Sequence, residues 1–427
     1  MQLQDIAKIL GLQGVQVTTI KLINEEKNGL ETLKEVEVWL SPLEERQICP
    51  CCQADQIVLN GNDGNRRIHH LKLGATPCVL IVPRVRLKCN DCQATFGHTY
   101  TFADGKEQYT IMMKAHVYEI AVGSTVQHTV AVTGIPYSTA ERFFKDAALI
   151  IARCTGQQAQ KQALESEKLI LGIDDFAIRK GHNYNTGIHD LRGESLLGIT
   201  KGRTLEELDE YMAKNPQIKE LKPFAIIMDL AKSYHSFAIK YYPDAIRVAD
   251  RFHVNGYALE PLDGIRKRVS KDLSPQARRH LKRKSRFLRK RYDSLTKPQQ
   301  DELAKLLSYS DDLNAAYWFK EQIIDWYDLS TNYASAKIGY QRWLERGLAL
   351  NIPEISHALK TFVSHQQEIL NYHRCRFTNG IVEGRNGKIK SLQRRHFFLS
   401  NRSFYEALCI IECNRELAHE QFISLFA

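Results

Sequence analysis

Two groups of side chains in this chain of 427 residues have the type and spacing to do chemistry. The first is cysteine. Of the ten, Cys49, Cys51, Cys52, Cys78, Cys89 and Cys92 fall within residues 49–92, while Cys154, Cys375, Cys409 and Cys413 are scattered. Cys49-Pro-Cys-Cys52 and Cys89-Asn-Asp-Cys92 are C-x-x-C knuckles, each of which offers two thiolates to one ion. Two such pairs complete a tetrahedral Zn²⁺ site, and a site closed by four sulfurs is structural. Between Cys52 and Cys89 lie 36 residues, more than the roughly 15–20 of the usual four-cysteine pattern. A hairpin with strands at Ile57–Asn60 and Val79–Leu87 would bring the knuckles together; Cys51 is then a spare thiol. A disulfide framework is the weaker reading where no secretion signal is seen, and a thioredoxin-like motif would need a following helix that Gln93–Tyr100 does not suggest.

The second group is acidic. Hydrolysis or transfer at a phosphodiester requires charge neutralisation on the attacking and leaving oxygens, which a pair of Mg²⁺ (or Mn²⁺) ions held by three carboxylates supplies. Asp174 and Asp229 each follow a short apolar run, Lys168–Ile173 and Phe224–Met228. The third candidate is Glu383, in Thr378–Lys390. Asn379 can cap a helix there, and Glu383, Asn386, Gly387 and Lys390 then share one stripe at i, i+3, i+4 and i+7. An acid for metal with an amide and an ammonium beside it suits a phosphate backbone, although taken alone the segment reads as a solvated helix of mixed charge. Asp175 and Asp250 compete. Neighbouring strand residues point to opposite faces, so Asp174 and Asp175 cannot both reach one metal.

The elements that must position these groups can be read in order. Residues 1–48 carry extended segments such as Glu35–Leu40. From about Gln108 the pattern turns helical, with Tyr109–Val122, Ser124–Val132, a break at Thr133-Gly134-Ile135-Pro136, and Tyr137–Ala148. This reads as a helix-turn-helix or as a plain helical hairpin, with Ser138, Thr139 and Arg142 the exposed candidates for contacting DNA. Residues 155–167 are polar and read as a linker between domains. Strands follow at 168–173, 183–190 and 194–200, then a helix at 204–214, a strand at 224–228, a helix at 232–240 and a strand at 245–249. Three antiparallel strands followed by helix, strand, helix, strand is the order of a ribonuclease-H-like core, and it sets Asp174 and Asp229 at carboxyl ends of strands, where open α/β sheets place their sites. From Asn255 to Asn371 the chain is helical, basic first and then aromatic (Tyr317, Trp318, Phe319, Trp326, Tyr327, Tyr333, Tyr340, Trp343). Helix-spaced aromatics are core residues first and base-stacking platforms second.

Composition bounds the alternatives. With 43% apolar and 25% charged residues the chain is ordinary globular protein of two or three domains, which excludes a disordered tail, a fibre and a disulfide-stapled miniprotein. No stretch approaches the roughly 18 apolar residues of a membrane span and the start does not read as a signal peptide, so a cytoplasmic protein without membrane contact is expected. The formal charge of +10 permits an acidic partner without requiring one. Its distribution is sharper: residues 264–292 hold 13 Lys or Arg and one acid, Asp272, and residues 384–402 hold six and none.

Taken in order, these motifs resemble the DDE transposases of bacterial insertion sequences, in the ISL-three family. The likeness rests on the two cysteine knuckles, the helix-turn-helix, Gly172–Tyr184, Met228-Asp229 with Tyr234, Ala249–Val254, and Asn379–Asn386 followed by Lys388 and Lys390. It implies a ribonuclease-H-like domain with a helical insertion before the last acid, and catalytic, Mg²⁺-binding roles for Asp174, Asp229 and Glu383, with Asp174 chosen over Asp175. Cys51 and the stretch Val254–Leu262, which lacks a Lys-rich continuation, depart from the pattern. The expected architecture is multidomain α+β and α/β: a zinc-binding module (1–100), a helix-turn-helix domain (105–155) and a ribonuclease-H-like domain (165–427) with an all-helical insertion at about 255–371. The expected function is binding of terminal inverted repeats followed by end cleavage and strand transfer into target DNA, by a homodimer on DNA in the bacterial nucleoid. Arg283, Lys284, Arg286 and Arg289 would contact phosphates, Asn386 and Lys390 would position the strand, and His253 would assist near the leaving oxygen or serve as a core histidine. The rivals are a non-catalytic regulator derived from a transposase, which calls for an incomplete acid set, and a ribonuclease-H-fold nuclease, which needs no sequence-reading module.

Overall fold

Alternation of apolar and polar residues builds the first sheet. A computed structural model describes residues 3–27, 30–44, 47–179, 183–396 and 399–426. Helix α1 (Leu3–Ile9) precedes β1 (Val15–Lys27), β2 (Leu30–Pro42), β3 (Ile57–Leu73), β4 (Thr76–Cys89) and β5 (Thr95–Gly97). They form one sheet in the order β1-β2-β4-β3, with β5 paired to the end of β4. Every second residue of β2 (Val36, Val38, Leu40) turns inward to meet Ile68, Leu80 and Val82. Each such burial stabilises the fold by about 1.5–3 kcal/mol.

Helices α2 (Ile111–Gly123), α3 (Val126–Thr133) and α4 (Tyr137–Glu165) come next. Thr110 and Thr125 accept from the N–H groups of Met113 and His128 and so cap α2 and α3; Gly134, at φ +77°, ends α3 in the left-handed conformation that a side chain disfavours. Ile135 in the turn packs with Met113, Val117, Ala140 and Phe143. The polar stretch expected to be a linker is instead the second half of α4, which continues without interruption to Glu165. Its Gln, Lys, Ala and Glu residues are good helix formers, and Thr155, Ala159 and Ala163 bury one stripe at four-residue spacing. Residues 1–153, 395–408 and 418–427 form one compact unit, and 154–394 with 409–417 a second.

In the second unit β6 (Ile170–Arg179), β7 (Asn183–Asp190), β8 (Ser195–Lys201), α5 (Leu205–Lys214), α6 (Pro216–Lys219), β9 (Ala225–Met228), α7 (Lys232–Tyr241) and β10 (Ile246–Ala249) follow in sequence. The sheet order is β10-β9-β6-β7-β8. The β6–β7 and β7–β8 pairs are antiparallel, and β6–β9 and β9–β10 parallel. Leu171, Ile173, Ile226 and Met228 face one layer with Leu208, Met212, Tyr234 and Phe237, while Ile170, Ala225, Ile227 and Val248 join the core of the helices that follow. These are α8 (Arg251–Asp272), α9 (Pro275–Lys284), α10 (Arg286–Arg289), α11 (Lys297–Leu307), α12 (Asp311–Leu329), α13 (Tyr333–Ala349), α14 (Pro353–Ser364), α15 (Gln366–Cys375) and α16 (Gly380–Arg395); the chain ends in α17 (Arg402–Cys413) and α18 (Arg415–Phe426). Tyr317, Phe319, Trp326, Tyr327, Tyr340 and Trp343 are buried core, whereas Trp318 is exposed. No helix among the described residues is long and apolar enough to cross a membrane.

Candidate functional site

The cysteine knuckles close on each other. Cys49 Sγ lies 3.6 Å from Cys92 Sγ, Cys52 Sγ lies 3.6 Å from Cys89 Sγ, and all four sulfurs fall within 4.8 Å of one another. A tetrahedron with Zn–S bonds of ~2.3 Å has edges of about 3.8 Å, so the donor set fits zinc. The two knuckles are built alike. Each continues as Cys-Gln-Ala, the glutamine (Gln53 at φ 62°, Gln93 at φ 60°) turns the chain through the left-handed region, and the first cysteine's N–H bonds the alanine carbonyl at 2.9 Å (Cys49 to Ala54, Cys89 to Ala94). That repeated six-residue pattern was available in the sequence as a further sign of paired knuckles. The N–H of Cys52, and after it that of Cys51, holds the Cys49 thiol down to about 6, while the neighbouring sulfurs and burial raise Cys52 and Cys92. Cys51 is exposed and outside the cluster.

The acidic site assembles on the second sheet. Asp174 lies in the middle of β6 and not at its carboxyl end as expected, because β6 runs on to Arg179 along β7. Its pairing with the parallel strand β9, however, stops at Ile173. Beyond that point β6 has lost one neighbour, and Asp174 emerges there. Asp229 follows β9 and accepts the Leu230 N–H at 2.6 Å; Asp250 follows β10. His253, in the first turn of α8, spans the acids, with Nε2 3.7 Å from Asp174 Oδ1 and Nδ1 3.6 Å from Asp229 Oδ1. The Asp174 carboxylate first, and then Asp229, outweigh burial and raise His253 to about 9. It therefore stands as a cation against the two carboxylates. Glu383 lies exposed in the first turn of α16; partial burial, then the negative charges of Asp250 and Asp174, raise its carboxyl above the usual range, opposed by His253.

Three neighbours fix this arrangement. Asn386 is buried and its Nδ2 donates to Asp174 Oδ2 at 2.9 Å. Its place is thus beneath the acid, where the sequence reading had it contacting a DNA strand. Asn379 does not cap α16 through its side chain. Its Nδ2 donates to the Ile173 carbonyl at 3.2 Å and its N–H to Asp250 Oδ1 at 3.0 Å, which ties the start of α16 to β6 and to the end of β10. A Cβ on Gly172 would come within 2.9 Å of Asn379 Oδ1, so glycine makes room for that tie. Asp175, on the opposite face of β6, pairs with Arg203 at 3.0 Å. Among the described residues the four cysteines are the only group of three or more His, Cys, Asp or Glu whose ligand atoms draw within 4.8 Å of each other, so the acids are convergent but not closed.

The remaining expected contacts are scattered over exposed surface. Ser138 is exposed and Thr139 partly so; Arg142 is exposed but pairs with Glu107 at 3.1 Å and lies over the Phe143 ring. Lys390 is exposed two turns beyond Glu383. In the basic run, Arg266, Arg268 and Arg291 pair with acids of the same unit, while Arg283, Arg286 and Arg289 are exposed and Lys284 half-buried against Phe287. Arg266, Arg286 and Arg289, with Asp263, Leu259, Leu262, Ser285 and Leu288, line a cleft of about 260 Å³.

Comparison with known proteins gives a consistent result. Residues 171–408 match a family model described as transposase, of the ISL-three type, and residues 45–92 match the zinc-finger of transposase IS204/IS1001/IS1096/IS1165. The chain is 25% identical over 380 residues to the transposase for insertion sequence element IS1001 of Bordetella parapertussis, covering 87% of this chain and 90% of that protein. It is 24% identical over 250 residues to the transposase for insertion sequence element IS1557 of Mycobacterium tuberculosis, covering 53% of this chain and 56% of that one.

Proposed function

The chain belongs to the ISL-three family of transposases, and from that premise we propose that it binds the terminal inverted repeats of an insertion sequence, cleaves DNA at its ends and joins them to target DNA. The observation that carries this reading is the convergence of Asp174 and Asp229 on His253, with Glu383, at the start of α16, near enough to feel the charges of Asp250 and Asp174. The sheet order β10-β9-β6-β7-β8 supports reading the second unit as a ribonuclease-H-like domain with an insertion. On this reading residues 1–100 and 105–155, with Ser138, Thr139 and Arg142, serve recognition of the element's ends.

Asp174, Asp229 and Glu383 would hold Mg²⁺ or Mn²⁺, which when bound neutralises charge on the attacking and leaving oxygens. The protein's own groups do the rest. Asn386 fixes the rotamer of Asp174, Asn379 sets the depth of α16 and hence of Glu383, and His253 balances the carboxylates before DNA arrives and can donate a proton toward a leaving oxygen. Each step is in-line substitution at phosphorus, so no nucleophilic side chain is needed. Joining two ends in one reaction calls for two copies of the chain on DNA.

The test is incubation of purified protein with its element's end and Mg²⁺ or Mn²⁺. Strand-specific nicking at the end is expected from the wild type and its loss from Asp229→Ala and Glu383→Ala. Nicking that survives either substitution would overturn the assignment of the acids.

A further inference from the structure

We infer that Phe252 is a positioning residue that stacks on a base beside the scissile phosphate, and that the strand carrying this base runs along α8, over Gly256, into the arginine-lined cleft. The inference rests on the function proposed above. Phe252 is 62% exposed, the most exposed large aromatic side chain among the described residues. Its neighbours in the first turn of α8 are engaged: Arg251 bonds Asp328 at 2.6 Å and His253 spans Asp174 and Asp229. The Phe252 ring lies 5.8 Å from the His253 ring at 87°, one residue from the groups that would act on phosphorus. A bare aromatic face there suits a nucleotide base, which stacks regardless of sequence.

Gly256, one turn further along, leaves the surface of α8 low beside Phe252. A glycine inside a helix is destabilising relative to alanine, yet a Cβ at this position would meet nothing within 4 Å. The missing side chain leaves room for a strand to lie against α8 at this turn. Phe252, Gly256, Leu259, Asp263 and Arg266 recur at i, i+4, i+7, i+11 and i+14, which is one stripe of the helix. The last three line the cleft with Arg286 and Arg289. At 1.5 Å per residue the stripe from Phe252 to Arg266 is ~21 Å long, about six nucleotide steps of ~3.4 Å. The stripe thus joins an aromatic seat beside the acids to a cleft in which Arg266 is paired with Asp263 and the exposed Arg286 and Arg289 are available to phosphate.

The experiment combines protein and DNA changes. End duplexes carrying an abasic site at single positions flanking the cleavage point are nicked by wild type, Phe252→Ala and Phe252→Trp. Phe252→Ala is expected to slow nicking of intact ends about tenfold, Phe252→Trp to restore it, and one abasic position to slow the wild type equally with no further loss in combination. Wild-type rates for Phe252→Ala, or losses that multiply at every position, would overturn the inference. A parallel arm in Ca²⁺ follows 2-aminopurine at the same positions on binding alone. A fluorescence change shared by wild type and Phe252→Trp and absent in Phe252→Ala supports the stack; identical traces from all three overturn it. Because this arm needs no cleavage, a protein that binds ends without nicking them would sink the catalytic reading and still decide the role of Phe252. Gly256→Leu is expected to reproduce the slowed nicking with an unchanged melting temperature, and normal nicking by this variant would remove Gly256 from the path.

Discussion

The cysteine cluster and the acidic site both gather metal-ligating side chains, and they do so in opposite ways. Each half of the cysteine cluster is set by six consecutive residues, and the sulfurs already stand at the edge length of a zinc tetrahedron. The acids come from β6, the ends of β9 and β10, and α16, and a histidine cation stands among them. A structural site is closed by its own ligands and stabilises the fold. The acidic site, reactive on the function proposed here, stays open and is held by neighbours such as Asn379 and Asn386, at some cost in unbalanced charge.

The sharpest way to break the contrast is to remove one ligand from each. Structural zinc contributes about 10–16 kcal/mol, comparable with the whole stability of a domain. Cys89→Ala is therefore expected to lose the bound zinc and unfold the knuckle region, measured by metal analysis and limited proteolysis; a folded, zinc-free variant would deny the site its structural role. Asp174→Asn and Glu383→Gln are expected to slow nicking by about 10³-fold or more, roughly 4 kcal/mol, without lowering the melting temperature. A large fall in melting temperature would mean that the acids, too, are structural.

Smaller effects test what surrounds the acids. Neutralising Arg283, Lys284, Arg286 and Arg289 together is expected to weaken binding to all DNA sequences and flatten the slope of log K against log salt by up to ~3.6; an unchanged slope would make this run a solvated helix face. His189 supplies the pH test. It pairs across the sheet with Gly172, its ring lies over Gly187, and burial lowers it to about 3. Below pH ~6.5 the unfolded chain takes up a proton that the folded chain refuses, so stability falls on acidification by about 1.4 kcal/mol per pH unit until pH nears 3. His189→Gln is expected to make that slope shallower by about one proton in melts between pH 6.5 and 5, leaving the share of His373, which burial lowers to about 4; equal slopes in wild type and variant would mean that the buried His189 ring takes up its proton in the fold as readily as in the unfolded chain.

Much of this was legible beforehand for identifiable reasons. The knuckles, the strands around them and the three helices after Tyr109 depend on local spacing, and their residues are consecutive. Polarity misled at residues 155–165, because a helix that buries only Thr155, Ala159 and Ala163 looks like a linker by composition. The basic run misled in part, since a sequence counts charges but cannot tell Arg268, spent on Glu354 and Asp312, from Arg283, which is exposed. Helical period sets Asn386 on one stripe with the exposed Glu383, Gly387 and Lys390, but the side chain is buried against Asp174, because the period gives a direction and not what lies in it.

The sequence by itself determined which residues could ligate metal, the pairing of the knuckles and the order of strands and helices, since these follow from side-chain chemistry and short-range periodicity. Only the tertiary structure decided that β6 loses its parallel neighbour at Asp174, that His253 spans two acids, that Asn379 and Asn386 lock the third acid's helix to the first acid's strand, and that Phe252 stays bare beside them. Those facts arise where segments up to 212 residues apart meet, and no local pattern encodes the distance between them.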